Sequence, residues 1–257
     1  MVVAARGAPR PLSRGSRKAA AHAEIGAHRW LVLAPHPDDE TIGAGPLIAQ
    51  LCHGGQSVAV AFLTDGAASH PGSASHPPAL LKRMRRREAI AALRVLAGSK
   101  GGTAPIFLDW PDSAPFAAGT PEFLASVAAI LAICRRDRTT ALATTWRGEP
   151  HCDHAAAFVV AEAVARASRG RVALYQYLVW GWAEAGMADG SRRLLLDARR
   201  SRRRRRAALA RHRSQTQALI VDSLDAFRLS QPMIRFAGRP FDLIFARGQY
   251  RAAPALA

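Results

Sequence analysis

Cysteine is scarce in these 257 residues and badly spaced for a framework. Cys52, Cys134 and Cys152 are odd in number and form no C-x-x-C pair, which argues against a disulfide scaffold or a structural zinc knuckle. No uncharged apolar run reaches about eighteen residues, so a spanning helix is not expected. The opening stretch MVVAARGAPRPLSRGSRKAAAHAE lacks the continuous apolar centre of a secretory signal, and a cytoplasmic protein is the expectation. Internal repeats, an H-E-x-x-H helix and a second acidic cluster for a further metal ion are also missing. Phosphoester and peptide hydrolysis are thereby disfavoured.

A basic excess is present, with a formal net charge of +17. Such an excess ordinarily points to nucleic acid or an anionic membrane, but here it is local. Residues 1–24 carry five basic side chains against Glu24, and residues 192–213 carry eleven arginines against Asp197. The remaining chain is near neutral. The basic residues have no interleaved aromatics and form no recognisable reader module. The stretch 192–213, with its run RRSRRRRRAALARHR, reads first as a helix with a solvated basic face, since arginine is a good helix former. As a second function it offers a docking point for an anionic surface or nucleic acid.

With 49% hydrophobic residues, the chain can bury one sizeable core. Continuous apolar runs at 29–34, 57–64, 104–110 and 140–146 read as strands covered on both faces. Helical patterns fall at 43–53, 78–97, 121–134 and 153–168, several of them stopped by glycine. Strand and helix in alternation imply a parallel sheet with right-handed crossovers, hence a single Rossmann-like three-layer α/β/α domain with a mostly parallel sheet. The expected layout is a basic, disordered segment at 1–27, a domain at 28–250 and a tail at 251–257. Ligands of open α/β sheets bind beyond the carboxyl ends of the strands. Four polar stretches lie there: the one after residue 34, TDG at 64–66, DWPDS at 109–113 and TWRGEPHCDH at 145–154.

The first of them, LVLAPHPDDETIGAG, sets three carboxylates at the end of a buried strand. Burying unpaired carboxylates is costly, so the stretch is either a metal site or a helix cap. Pro35 and Pro37 stiffen the loop around His36. In HCDH, His151 and His154 share a helix face and can approach one ion. Imidazole with carboxylate suits zinc, and three protein ligands with an open position is the catalytic arrangement. A zinc-bound water has its pKa lowered from about 15.7 towards about 7. A capping role alone is a poor account of two motifs of this kind past two different strands.

PHPDDETIGAG and the later HCDH resemble the two signature motifs of the LmbE-like, or PIG-L, zinc-dependent N-deacetylases. RRREAIAALRVLAG, FLDWPDS and RRRAALARHRSQ resemble further family segments, and the likeness runs from about residue 28 to 246. It implies zinc held by His36, Asp39 and His154, Asp38 as general base, and His151 as the group that polarises the amide carbonyl. It further implies that Asp153 orients His151 and that Arg85 and Asp112 contact substrate. Trp146 is a candidate aromatic wall for a sugar ring. The implied activity is removal of an N-acetyl group from an amino sugar or related small amide. Cys152 stands where the family usually has proline and reads as a tolerated small residue, with a redox role as the sharper alternative. His22, His28, His53, His70, His76 and His212 have no partner motif and read as surface or structural.

Overall fold

Apolar runs become strands and the patterned stretches between them helices in a computed structural model that describes residues 21–100, 102, 105–181 and 192–247. In chain order the elements are β1 (Trp30–Ala34), α1 (Asp39–Ile42), α2 (Gly45–His53), β2 (Ala59–Thr64), α3 (Pro78–Ala97) and β3 (Ile106–Trp110). Then come α4 (Pro121–Arg136), β4 (Ala141–Thr145), α5 (Cys152–Ala167), β5 (Ala173–Tyr177) and β6 (Arg192–Asp197). The last are α6 (Arg202–Leu209), α7 (Arg213–Thr216), α8 (Gln231–Phe236) and β7 (Phe241–Arg247).

One sheet in the order β3-β2-β1-β4-β5-β7-β6 runs through the domain. Strands β1 to β5 pair in parallel, while β7 pairs antiparallel with both β5 and β6. Side chains of a strand alternate between faces, and both faces here are covered. Val32 and Ala34 face the layer that holds Leu47, Leu96 and Leu209. Leu31 and Leu33 face the layer of Ile130, Val160 and Val164. That double burial explains why these strands read as unbroken apolar runs. The chain leaves β1 towards one layer and β4 towards the other, so the two loops part at a switch point and open a crevice between them.

The fold agrees with the expected α/β/α architecture and moves several details. The helix expected at 43–53 is α2, which begins two residues later, and a separate short helix, α1, precedes it across Gly43 and Ala44. A Cβ on Gly43 would stand 2.2 Å from the Tyr177 ring, whose hydroxyl donates to Leu33 O at 3.0 Å. Residues 21–26 are helical, with Ala21 and Ile25 buried and Trp30 Nε1 donating to Ile25 O at 2.8 Å. The last part of the segment expected to be disordered therefore packs on the domain, whereas 1–20 and 248–257 lie outside the described residues.

The arginine-rich stretch is not one solvated helix, which corrects the reading of 192–213. Its first part is strand β6, because Leu194 and Leu196 bury while the chain pairs with β7. Within α6, Arg205 is fully buried. Its Nε donates to Thr41 O at 3.2 Å, its guanidinium also donates to Ile42 O, and Nη1 meets Asp242 Oδ2 at 3.0 Å. Breaking a buried pair from one side costs about 3–5 kcal/mol, whereas exposed substitutions stay within about 0.5 kcal/mol. Urea denaturation is expected to show that loss for Arg205→Ala and almost none for the exposed neighbour Arg206→Ala.

Candidate metal centre

Strand β1 delivers His36 and α1 delivers Asp39, while the first turn of α5 delivers His154. Asp39 Oδ2 lies 3.1 Å from His36 Nδ1 and 3.2 Å from His154 Nε2, and it accepts the His36 backbone N–H at 3.0 Å. All three residues are buried, and one donor atom from each lies within 4.8 Å of the others. Neither ring nitrogen of His154 completes a hydrogen bond, although Nδ1 is 3.4 Å from Glu149 Oε2. An unsatisfied buried imidazole is costly, and this one is aimed at a carboxylate oxygen shared with a second imidazole. Two imidazoles and a carboxylate are a donor set for zinc or another borderline divalent ion, so the residues present fit such an ion.

Electrostatics agree. With both histidines neutral, the carboxylates of Asp38, Asp39, Asp112 and Asp153 share a buried space with one guanidinium, that of Arg85. Burial pulls the Asp39 carboxyl upward, but His154 and His36 outweigh it and hold the group far below its usual range. Burial likewise disfavours charge on His36, yet Asp112, Asp153 and Asp39 raise its basicity well above that of a free imidazole. The cluster attracts positive charge, whether proton or metal.

Asp38 has φ 148°, in the region that favours glycine. Its N–H donates to Glu40 Oε2 at 2.9 Å, and Oδ1 lies 3.3 Å from Arg85 Nη2. Burial pushes its carboxyl up to about 7, with Arg85 opposing and Asp39 adding to the rise. Arg85, expected to reach substrate, lines the cavity and is buried, with its two Nη groups donating to Pro37 O at 2.9 Å and Gly66 O at 3.0 Å. Gly66, with φ 68°, leaves the room, since a Cβ there would stand 2.8 Å from the guanidinium. Asp112 accepts the Ala68 N–H at 2.9 Å and lies 3.3 Å from His36 Nε2.

His151 is the N-cap of α5 and stands half-exposed at the lip of the cavity. Its Nδ1 accepts the Asp153 backbone N–H at 3.2 Å, which puts the proton of the neutral ring on Nε2. The Asp153 carboxylate, expected to orient this ring, lies instead 2.9 Å from His36 Nε2 and 3.9 Å from His151 Nδ1. Residues two apart do not face each other on a helix, so the backbone amide orients His151 and the side chain serves His36. Ser113 N–H fixes that carboxylate at 2.8 Å. The Cys152 side chain points outward, with Sγ at 3.9 Å from His151 Nδ1 and 3.8 Å from Asp153 Oδ1. Burial and the Asp153 carboxylate push its thiol up.

A cavity of about 130 Å³ opens on these groups, closed on one side by Trp180, Phe227 and Leu229. Trp180 and Phe227 stack with centroids 5.2 Å apart and planes 15° apart. Trp146 is not the wall. It is buried with Leu178 and Phe245, its ring set against Gly148 and Gly181. Trp180, Phe227, Ser113 and Glu149 are not among the expected site residues; Ser113 and Glu149 lie in the polar stretches at 109–113 and 145–154, Trp180 comes three residues after strand β5, and Phe227 carries no signal. Residues 182–191, which follow Trp180 and Gly181, lie outside the described residues. His70 and His212 are buried, and His212 Nε2 lies 3.1 Å from Glu40 Oε1, behind Asp38.

The family model described as PIG-L, GlcNAc-PI de-N-acetylase, matches residues 31–165, which span both signature motifs. The chain belongs to this family. No curated protein gives a significant match. Among solved structures, the chain is similar to N,N'-diacetylchitobiose deacetylase from Pyrococcus horikoshii, with 19% identity, TM-score 0.66 and coverage of 89% of this chain and 88% of that one. It is similar to the zinc-inhibited form of teicoplanin deacetylase at 22% identity and TM-score 0.61, over 85% and 97% of the two chains. It is also similar to a 4-carboxy-2-hydroxymuconate hydratase from Pseudomonas putida at 16% identity and TM-score 0.66, over 89% and 100%. These likenesses are likenesses of fold, and one fold carries more than one reaction, so the activity has to be argued from the site.

The two tryptophans separate experimentally. Trp146→Ala is expected to lower the unfolding free energy by about 3–5 kcal/mol. Trp180→Ala is expected to cost less stability and to act mainly by raising KM, as measured by denaturation and steady-state kinetics on both variants.

Proposed function

We propose that the protein is a metal-dependent N-deacetylase that cleaves the N-acetyl amide of an amino sugar or a related small amide, releasing acetate and a free amine. The observation that carries this reading is the meeting of His36 and His154 on Asp39 Oδ2, with an unsatisfied imidazole beside a buried carboxyl of raised pKa. His36, Asp39 and His154 would hold the ion, with zinc the first candidate on donor type. When bound, it supplies Lewis acidity to a water molecule and to the amide carbonyl.

The chain's own groups handle the protons. Asp38 Oδ takes a proton from water as the oxygen adds to the carbonyl carbon, a role favoured by a carboxyl whose pKa lies near neutrality. Arg85 and the Glu40 contact hold it in place. The Nε2–H of His151 donates to the carbonyl oxygen as it becomes negative, a contribution worth about 3 kcal/mol of barrier in comparable sites. The Asp38 proton passes to nitrogen as the C–N bond breaks. Asp153 and Asp112 steady His36, and Trp180 offers an apolar face to whatever carries the amide. A cavity of about 130 Å³ suits an acetamido group and its neighbouring atoms rather than a whole large ligand. The names of the chitobiose and teicoplanin deacetylases support a glycan-linked amide.

Primary-amine release from N-acetylglucosamine compounds tests the reading against hydration of a double bond, which frees no amine. Asp38→Asn is expected to lower kcat by about 10²–10⁴-fold while the bound metal, counted by elemental analysis, stays at the wild-type level. His154→Ala is expected to lose both metal and turnover. Wild-type turnover in Asp38→Asn would remove the assigned base.

A further inference from the structure

We propose that the face formed by α3, α7 and the loop that follows docks on an anionic lipid bilayer. Arg83 and Arg87, one turn apart on α3, line a groove of about 250 Å³ together with Leu80, Met84, Arg213 and Leu219. None of these three arginines meets a carboxylate among the described residues; Arg213 Nε reaches only the Gln217 side-chain oxygen, at 3.3 Å. The one acid on these two helices, Glu88, is taken up by the N–H of Ser214 at 2.8 Å and its hydroxyl at 2.6 Å. Alongside α3 packs α6, which has no acid and adds the exposed Arg202, Arg203, Arg204 and Arg206.

Past α7 the chain turns aliphatic side chains outward, with Leu219, Val221 and Leu224 at 40%, 78% and 102% exposure. Two carboxylates share this loop. Asp222 is bound by Ser73 and Ser75, and Asp225 is a single acid against the three arginines of the groove. A nucleic acid is gripped chiefly through phosphates, base edges and aromatic stacking, and exposed aliphatic side chains contribute little to that grip. A bilayer takes both features together. Leucine and valine enter the acyl boundary, and the guanidinium groups reach anionic headgroups. No described helix is long and apolar enough to cross a membrane, so the association proposed is peripheral.

The same loop continues to Phe227 and Leu229, which line the catalytic cavity. The Phe227 N–H donates to Ser69 O at 2.7 Å and the Leu229 N–H to Gln215 O at 2.8 Å. Docking on this face sets the cavity mouth beside the lipid headgroups. The docking itself does not depend on the deacetylase reading.

Cosedimentation of the full chain with phosphatidylcholine vesicles, with and without about one third phosphatidylglycerol, tests the proposal at about 0.1 M and about 0.5 M salt. The expected result is binding to the anionic vesicles at low salt, about tenfold weaker on neutral vesicles or at high salt. Leu219→Ser/Val221→Ser/Leu224→Ser and Arg83→Gln/Arg87→Gln/Arg213→Gln each lose about tenfold in vesicle affinity, with turnover of a soluble N-acetylated substrate unchanged. Duplex DNA retention, run in parallel, separates the partners. An arginine variant that loses vesicles and DNA alike, beside an aliphatic variant that keeps wild-type vesicle binding, overturns bilayer docking in favour of a general polyanion patch. Absence of vesicle binding, or equal binding to both compositions, overturns it too. If the wild type turns over no N-acetylated substrate, the catalytic reading fails while the vesicle result stands.

Discussion

One carboxylate oxygen, Asp39 Oδ2, is the point where two distant loops of the chain meet. It is contacted by His36 and His154 within 3.2 Å, and the contact exists because β1 and β4 are parallel neighbours that discharge their loops at the same edge of the sheet. Everything close by is arranged around that point. Glu149 stands behind His154, Asp153 and Asp112 stand against His36, and Ser113 and Ala68 hold those carboxylates with backbone N–H groups. The excess of buried carboxylate makes the cluster costly unless cations join it, which is the physical argument for an ion there.

The base beside this cluster is held by strain and by charge. Asp38 keeps a backbone conformation of the kind that costs about 1–3 kcal/mol, and it is retained because Glu40 takes its N–H while Arg85 clasps both its carboxylate and the carbonyl before it. Glu40 is in turn met by His212, and α6 is locked to α1 through Arg205. The arginine-rich part of the chain therefore supports the site from behind while most of its charge faces outward. One buried arginine and one buried histidine inside a polar stretch tie α6 and the start of α7 to α1.

Much of this was legible in the sequence where a single physical rule decides. Strands covered on both faces show as continuous apolar runs, α3 was expected at the bounds it occupies, and the His-Pro-Asp-Asp and His-Cys-Asp-His motifs mark the loops that converge. The failures lie where a contact depends on which face of an element a side chain takes. Trp146 and Trp180 both stand near strand ends, and only the packing around Gly148 and Gly181 sends the first into the core. Asp153 is adjacent to the ring it was expected to orient, yet helix geometry turns its carboxylate to His36. In the arginine stretch, charge masked a strand whose leucines alternate inward, and composition alone gives no sign that Arg205 is buried. Strand β7, which pairs with both β5 and β6, returns from far along the chain without a periodic signal of its own.

Anomalous diffraction from crystals grown with zinc, recorded at the zinc edge, tests the central claim most directly. The account predicts a peak about 2.0–2.2 Å from His36 Nδ1, Asp39 Oδ2 and His154 Nε2, absent from crystals of His154→Ala. A wild-type map with no peak at that position, or with the ion held by other side chains, would contradict it.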